Sequence, residues 1–231
     1  MKQEKQVKNR SYHRPVEILF EDRDILVVDK APGILTIDND RDHEKTAYRI
    51  LTDYVRKGYS KSRNRIFIVH RIDRETSGIL VFAKNENAKR FLQDHWDTTE
   101  KKYLAIAHGH PVKKSDIITT YLAENSAFFV YSTPNHAIGK LAKTEYKVVT
   151  ESQKFSLLEI NLLTGRKNQI RVHLSEIGHP VAGDDKYGDK NDGCKRLALH
   201  AKSISLMHPY SGKMLYFETE TPEYFDRLMR K

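Results

Sequence analysis

Residues 143–163, KTEYKVVTESQKFSLLEINLL, contain two runs in which apolar and polar residues mostly alternate, separated by a short polar segment. Alternation of this kind is typical of β-strands that bury one face. Similar runs precede them at 102–107, 117–122 and 127–132, and no helical segment intervenes. Strands that follow one another without helical crossovers indicate an α+β protein whose central sheet is mixed and mostly antiparallel, with flanking helices.

Shorter elements surround this strand-rich stretch. Two apolar runs at 16–20 and 24–28 predict an N-terminal hairpin. Apolar residues at helical spacing predict helices over 47–55, 88–96 and 168–177 and a last one after Thr221. Further strands are predicted at 66–69, 79–83, 204–206 and 215–219. We expect residues 1–15 to form a basic, flexible segment and residues 16–231 to form one domain.

The composition is that of a globular protein, since 39% of the 231 residues are hydrophobic and 31% are charged. The longest apolar run, 79–83, is far shorter than the ~20 residues of a membrane helix. Residues 1–10 are polar and basic, unlike a secretory signal. Cys194 is the single cysteine, which excludes an internal disulfide and a cysteine-rich zinc site. We therefore expect a cytoplasmic protein.

Basic residues outnumber acidic ones by 40 to 31, which gives a formal net charge of +9. Between residues 56 and 74, seven basic residues accompany a single acid, Asp73. Lys and Arg placed along a groove bind a phosphate backbone and release its counterions. The charge therefore indicates a nucleic-acid partner, with a lysine-rich surface that favours solubility as the alternative.

The segment 70–84, HRIDRETSGILVFAK, places the carboxylate of Asp73 between Arg71 and Arg74, in a polar loop ahead of an apolar strand. The neighbouring positive charges keep this carboxylate ionised. An ionised aspartate on a loop held by rigid strands is suited to act as nucleophile or base. A surface aspartate that makes ordinary ion pairs is the alternative for this loop taken alone.

A second polar segment, 163–174, reads LTGRKNQIRVHL. Its glycine turn leads into a predicted helix whose start carries the donors Arg166, Lys167, Asn168, Gln169 and Arg171. A helix N-terminus with such side chains is a natural anion site. Arg166 and Arg171 could bind one phosphate and one carboxylate, respectively. The alternative is a capped amphipathic helix whose charges face water.

Taken together, the two segments resemble the RluA-type family of pseudouridine synthases. Segment 70–84 is similar to the catalytic-aspartate motif of that family, and segment 163–174 is similar to its Gly-Arg…Gln-Ile-Arg-x-His-Leu motif. Further stretches agree in the same order: KKYLA at 101–105, GHP at 178–180, GD at 183–184, YG at 187–188, LALHA at 197–201 and HP at 208–209. The resemblance extends from about Val16 to the C-terminus.

The resemblance implies an enzyme that isomerises specific uridines in structured RNA, rRNA or tRNA, to pseudouridine. In this reaction the base is detached, turned over and rejoined to the ribose through carbon. The resemblance also implies the pseudouridine synthase catalytic fold, no cofactor and no metal. We expect the partner to be an RNA stem-loop with a flipped-out uridine, and the protein to be a monomer.

Matched residue by residue, the resemblance assigns Asp73 as the catalytic carboxylate, which attacks the sugar C1′ or removes the C2′ proton. Tyr103 would stack on the base and help to take the C5 proton, and Arg171 would pair with Asp73. Leu199 would lie under the uracil ring, and Arg71 would lie next to the flipped nucleotide. Further RNA or substrate contacts are expected from Arg74, Arg166, Lys167, Gln169 and His200.

Three departures from the family pattern put in doubt the transfer of any relative's RNA target. Ala31 follows Lys30 where the family has Lys-Pro-x-Gly, 37–38 is Ile-Asp where a His-Pro element is usual, and Asn168 replaces a common histidine. Many relatives also carry an N-terminal S4-type RNA-binding domain, which we do not expect in this chain.

Two other functions remain open at this point. A non-catalytic RNA-binding or chaperone protein on the same fold would be expected to have lost the Asp73 carboxylate. A glycoside-type hydrolase would need a second carboxylate paired with Asp73, and Glu75 is the candidate.

Overall fold

The computed structural model of the protein describes residues 15–38, 46–59 and 61–230. Within these residues eleven strands join one sheet. They are β1 (Val16–Glu21), β2 (Ile25–Lys30), β3 (Phe67–Ile68), β4 (Ser77–Ala83), β5 (Glu100–His108), β6 (Ser115–Glu124), β7 (Val130–Ser132), β8 (Lys140–Glu151), β9 (Phe155–Leu162), β10 (Leu199–Met207) and β11 (Met214–Glu218). The same residues form the helices α1 (Ala47–Arg56), α2 (Glu86–Asp94), α3 (Gln169–Glu176) and α4 (Glu223–Met229).

The strands follow the order β1-β2-β4-β10-β5-β9-β8-β6-β7 along the sheet, with β3 paired to β4 and β11 paired to β10. All of these pairs are antiparallel except β4 and β10, which are parallel. The prediction of an α+β protein with a mixed, mostly antiparallel sheet and flanking helices is therefore confirmed.

Strand β4 is buried along its whole length because helices cover both of its faces. Leu80 and Phe82 belong to one apolar cluster with residues of α1, whereas Ile79 and Val81 belong to another with residues of α2. Successive side chains of a strand point to opposite faces, so both faces here must be apolar. This explains why the sequence of β4 is a continuous apolar run rather than an alternating one.

The parallel contact between β4 and β10 depends on Gly78. Ser77 and Gly78 are in register with His200 and Ala201, and Gly78 has a φ of +107°. A Cβ atom on Gly78 would lie 2.2 Å from the carbonyl oxygen of Ala201, so no other residue fits without moving the backbone. This close approach brings the loop that precedes β4 next to β10 and β5.

The predicted N-terminal hairpin and the four predicted helices are present. Two strands are markedly shorter than predicted: β3 comprises only Phe67–Ile68 of the predicted 66–69, and β7 begins only at Val130 because residues 125–129 form a tight turn. The predicted flexible segment lies outside the described residues, apart from Pro15. Among the helices that the structure describes, none combines the length and the apolar character needed to cross a membrane.

Candidate active site

A cavity of about 290 Å³ opens where the loop between β3 and β4 meets the start of α3 and strand β5. Seven of the predicted site residues line this cavity, although they come from four separate parts of the chain. They are Arg71, Asp73, Tyr103, Arg166, Gln169, Arg171 and Leu199. The two polar segments singled out in the sequence therefore face each other across one cavity.

The carboxylate of Asp73 is held through only one of its oxygens. Oδ2 accepts a hydrogen bond from Asn168 Nδ2 at 2.7 Å and another from Arg171 Nη1 at 3.2 Å. Oδ1 accepts no hydrogen bond from any residue that the structure describes, and the side chain is 30% exposed. The arrangement fixes the carboxylate while leaving one oxygen available to a ligand in the cavity.

Arg171 is itself held from behind by a second carboxylate. Its Nε and Nη2 atoms donate to the two oxygens of Asp184, each at 2.7 Å, in a bidentate pair. The Asp184 side chain is fully buried and also accepts from the backbone N–H groups of Lys186 and Tyr187. Burial alone would lower the pKa of Arg171, but Asp184 and Asp73 together raise it above its usual value. The arginine is therefore a permanent, rigid positive charge beside Asp73.

Asn168 reaches Asp73 because it stands at an unusual backbone position. It is the N-cap of α3 and adopts a left-handed conformation, with φ of +52°, which asparagine tolerates better than most residues. Its side chain makes no capping bond to the helix and is free to donate to Asp73. The side-chain oxygen of Asn168, Oδ1, accepts from the Tyr187 hydroxyl at 3.3 Å, which orients the side-chain nitrogen, Nδ2, towards Asp73.

Gln169 anchors the turn that precedes α3. Its side-chain oxygen accepts from Thr164 Oγ1 and from the backbone N–H of Arg166, while its nitrogen donates to Lys143 and Thr144 of β8. The residue is almost completely buried. All of these partners are protein groups, so the side chain ties the arginine-bearing turn to the sheet.

The loop that carries Asp73 is held by contacts with residues 30–36. The Thr36 hydroxyl exchanges hydrogen bonds with both the N–H and the carbonyl of Ile72. The ammonium of Lys30 is fully buried and donates to the carbonyl oxygens of Arg74, Ala31 and Ile34. Burial lowers the pKa of Lys30 to about 7. Lys30 therefore joins the loop that carries Asp73 to the end of β2.

Tyr103 and Leu199 form an apolar surface at the base of the cavity. They lie on the paired strands β5 and β10, where Leu199 is opposite Ala105 and Tyr103 is opposite Ala201. Residues opposite each other, and residues two apart on one strand, share a face of the sheet, so both side chains project to the same side. Burial, with the charge of Asp73, raises the pKa of Tyr103 above its usual value. Its phenol is therefore neutral at physiological pH.

The wall of the cavity formed by His70 and Thr76 was not identified as functional from the sequence. The Val81 N–H donates to His70 Nε2 at 3.0 Å, the ring packs on Trp96, and burial lowers the pKa of His70 to about 3. Nε2 is thus an acceptor on a neutral ring. The buried hydroxyl of Thr76 has no hydrogen-bond partner among the described residues. Such a group is available to a bound molecule.

Three predicted contacts lie outside the cavity. Arg74 is exposed and donates to the Gly33 carbonyl, and Lys167 pairs with Glu124. His200 requires a correction, because its ring is buried and its two nitrogens contact Ser77 Oγ and Thr219 Oγ1. Burial lowers the pKa of His200 to about 4. A buried neutral ring with both nitrogens engaged is a structural contact between strands, not a contact for RNA.

Among the residues that the structure describes, two groups of side chains have the composition of a metal site, and neither lines the cavity. They are His108, Asp192 and Cys194, and Asp22, Asp24 and His208. In the first group, Asp192 accepts from His108 and from the backbone N–H groups of Gly183 and Cys194. In the second group, Asp22 accepts from His208 and from two backbone N–H groups. These bonds explain both clusters without an ion.

Comparisons with known proteins agree with this geometry. Residues 24–176 match the family described as RNA pseudouridylate synthase. Over 231 aligned residues, the chain is 33% identical to the ribosomal large subunit pseudouridine synthase D of Zymomonas mobilis, with 94% of this chain and 72% of that protein covered.

Solved structures give the same answer for the fold. Human RNA pseudouridylate synthase domain containing 1 is 26% identical, with a TM-score of 0.72 over 90% of this chain and 84% of that one. Human RNA pseudouridylate synthase domain containing 4 is 21% identical, with a TM-score of 0.78 over 93% and 92% of the two chains. Because the family match extends over more than half of the sequence and is joined by a relative at 33% identity, the chain belongs to the RluA-type RNA pseudouridine synthases, which isomerise uridine in RNA to pseudouridine.

Proposed function

We propose that Asp73 is the catalytic carboxylate of this chain, and that it acts on unpaired uridines of structured rRNA or tRNA. The observation that carries this proposal is that Asp73 lines the cavity with Oδ2 held by Arg171 and Asn168, while Oδ1 accepts no hydrogen bond from any described residue. A carboxylate fixed on one side and open on the other can meet a reacting atom without reorganising.

The reaction is an isomerisation, so every atom of the uridine is kept. The bond between N1 of uracil and C1′ of the ribose breaks, the base rotates, and a bond forms between C5 and C1′. The proton on C5 is lost and N1 gains one. Asp73 Oδ1 is the reacting atom in either route, attack on C1′ or removal of the C2′ proton. Arg171 holds Oδ2 of Asp73 in place throughout.

Tyr103 and Leu199 support the base during this rotation. Their apolar surfaces lie next to each other at the base of the cavity and suit the flat face of uracil. Because the Tyr103 phenol is neutral, it serves as a platform and as a relay for the C5 proton rather than as a phenolate base.

Arg71 and Arg166 bind the RNA at the rim of the cavity. A uridine stacked in a helix cannot reach Asp73, so the nucleotide must first leave its stack, at a cost of a few kcal/mol that is smallest in a loop. Arg71 is exposed and makes no ion pair with any described residue, which leaves its guanidinium to occupy the space next to the extruded nucleotide. Arg166 lies across the cavity and can bind a flanking phosphate.

The choice of rRNA or tRNA rests on the relatives. The Zymomonas mobilis protein is named as an enzyme of the large ribosomal subunit, which makes rRNA the first substrate to test. We propose that the enzyme acts in the cytoplasm as a monomer, without a cofactor, because every group used above belongs to one chain.

Release of tritium tests the proposed reaction directly. Total rRNA and tRNA would be isolated from a strain that lacks the gene and has been grown with uracil tritiated at C5. The purified protein should release tritium to water, because C5 loses its hydrogen when the base is rejoined. Asp73→Asn should release none, and the exposed control Asp53→Asn on α1 should equal the wild type. Mapping the new pseudouridines identifies the RNA and the position.

The same experiment separates this proposal from the alternatives. Salt-sensitive RNA binding without tritium release by the wild type would support a non-catalytic RNA-binding protein. A glycoside hydrolase is disfavoured by the position of Glu75. Glu75 does not line the cavity with Asp73, and its carboxylate lies 3.8 Å from Arg74 at the surface, so it cannot supply the paired acid.

A further inference from the structure

A turn beside the cavity exposes an aromatic ring that no step above uses. Residues 125–129 join β6 to β7, and this segment is called the aromatic turn below. Phe128 is 69% exposed and has a φ of +59°, a left-handed conformation that is strained for a bulky residue. Asn125 closes the turn, since its side-chain oxygen accepts from the N–H groups of Ala127 and Phe129. The turn therefore holds the Phe128 ring outward.

Lysine side chains surround the aromatic turn. Lys167 Nζ lies 5.2 Å from the centre of the Phe128 ring, and Lys186 Nζ lies 5.5 Å from that of Phe129. Lys186 also donates to the Phe128 carbonyl at 2.8 Å. Burial and the charges of Lys167 and Arg171 lower the pKa of Lys186 from its usual value. A cluster of cations around exposed rings favours a partner that offers both phosphates and flat bases.

The aromatic turn is directly connected to the catalytic carboxylate. The Phe129 ring packs on the Tyr187 ring with centres 4.8 Å apart, and the Tyr187 hydroxyl donates to Asn168. Asn168 in turn donates to Asp73. The Lys186 ammonium that contacts the Phe128 carbonyl also lies 3.5 Å from Asn168 Oδ1. A nucleotide adjacent to one held at Asp73 is therefore within reach of the turn.

We propose that the aromatic turn is a stacking platform for an unpaired RNA base next to the target uridine, with Phe128 under the base and Lys167 and Lys186 at the neighbouring phosphates. This inference rests on the proposed function, because it takes RNA as the substrate. It adds a second recognition point outside the catalytic cavity, one that requires unpaired flanking nucleotides rather than a particular base sequence. A protein partner is disfavoured because the lysines match a polyanion better than an apolar surface.

The experiment compares two RNAs and three variants. Binding is measured by fluorescence anisotropy with a fluorescein-labelled RNA hairpin that has a uridine-containing loop, and with a fully paired duplex of equal length. Phe128→Ala should weaken hairpin binding about tenfold, because base–aromatic stacking is lost, and should leave duplex binding unchanged. Phe128→Trp should bind the hairpin at least as tightly as the wild type. Phe128→Asn, which relieves the backbone strain, should show the same loss as Phe128→Ala.

A matched control lies on the turn between β10 and β11, where Tyr210 is 80% exposed. Tyr210→Ala removes an exposed ring beyond the opposite end of β10 from Leu199, which lines the cavity, and should bind both RNAs like the wild type. Tritium release by the wild type, together with hairpin affinity unchanged in Phe128→Ala and Phe128→Asn, overturns the stacking platform but leaves the proposed function intact. Absence of both hairpin binding and tritium release in the wild type overturns the proposed function and, with it, the platform.

Discussion

Arg171 lies between two carboxylates, and the two sides of this arginine are built differently. On the buried side, Asp184 takes two hydrogen bonds of 2.7 Å from it and two more from backbone N–H groups. On the open side, Asp73 takes one contact of 3.2 Å and keeps an oxygen free. The saturated pair is suited to fix a position, and the unsaturated pair is suited to react. The geometry thus distinguishes a fully bonded carboxylate, Asp184, from Asp73, which keeps one oxygen without a hydrogen bond from any described residue.

The difference also explains how Arg171 holds Asp73 without occupying both of its oxygens. A bidentate pair with Asp73 would occupy both of its oxygens and leave none for the substrate. Because Asp184 already uses Nε and Nη2, only Nη1 is left for Asp73. Asp184 therefore limits how tightly Arg171 can hold Asp73.

The largest expected loss of turnover comes from removing the charge of Asp73, on the open side of Arg171. Asp73→Asn keeps the shape of the side chain but removes the reacting carboxylate, so turnover should fall by at least about 10³-fold. The side chain is partly exposed, so the free energy of unfolding should change by no more than about 1 kcal/mol. Tritium release and urea unfolding measure the two effects. A variant with intact folding and substantial turnover would contradict the role of Asp73.

Removing the charge on the buried side should lower both activity and stability. Asp184→Asn leaves the buried guanidinium of Arg171 without its main partner, which should reduce the free energy of unfolding by about 3 kcal/mol. Turnover should fall about 10²-fold, because Arg171 would no longer aim Asp73. Urea unfolding and tritium release are measured on the same preparation. The control is Asp185→Asn at the neighbouring exposed residue, which should match the wild type in urea unfolding and in tritium release. An Asp184→Asn protein as stable as the wild type would show that Asp184 does not anchor Arg171.

The sheet was predictable because its signals are local. The alternation at 143–163 predicts strands with one buried face, and the continuous apolar run of β4 predicts a strand buried on both faces. The side chain of Asn85 accepts from the Ala88 N–H at the start of α2, as is typical of an asparagine directly before a helix. In each case the sequence pattern that supports the prediction lies within a few neighbouring positions.

The site was predictable only in part because its contacts span the chain. The resemblance named Asp73 and Arg171, which are 98 residues apart, but spacing alone gives no reason to pair them. Asn168 was noted as a donor at a helix start and as a departure from a motif, and neither observation paired it with Asp73, to which it makes the shorter contact. Lys30 was named only as part of a departure from a motif, although it is fully buried and donates to the carbonyl oxygen of Arg74.

His200 shows what a closer use of strand periodicity would have corrected. Leu199 was expected at the cavity, and adjacent residues of a strand point to opposite faces. If Leu199 faces the cavity, then His200 must face away from it, as the structure shows through its contacts with Ser77 and Thr219. The alternation was missed because the predicted strand covered only 204–206, whereas β10 begins at Leu199.

The smallest expected loss of turnover comes from removing Asn168, the second residue that donates a hydrogen bond to Asp73. Asn168→Ala removes the 2.7 Å hydrogen bond to Asp73 Oδ2 but leaves Arg171 and Asp184 in place. One hydrogen bond to a charged group corresponds to about 1.5 kcal/mol, so kcat should fall about tenfold. KM should stay within about twofold, because the bond orients the carboxylate and does not contact the RNA.

Asn168→His tests whether residue 168 acts by orienting the Asp73 carboxylate or whether Asn168→Ala acts only through the lost side-chain volume. Histidine is the residue that the resemblance places at this position, and one of its ring nitrogens can donate to Asp73 in place of the amide. We therefore expect Asn168→His to recover much of the kcat that Asn168→Ala loses, with the same KM. If alanine and histidine both raise KM at unchanged kcat, Asn168 binds RNA instead of positioning Asp73, and the open side of Arg171 is held by the arginine alone.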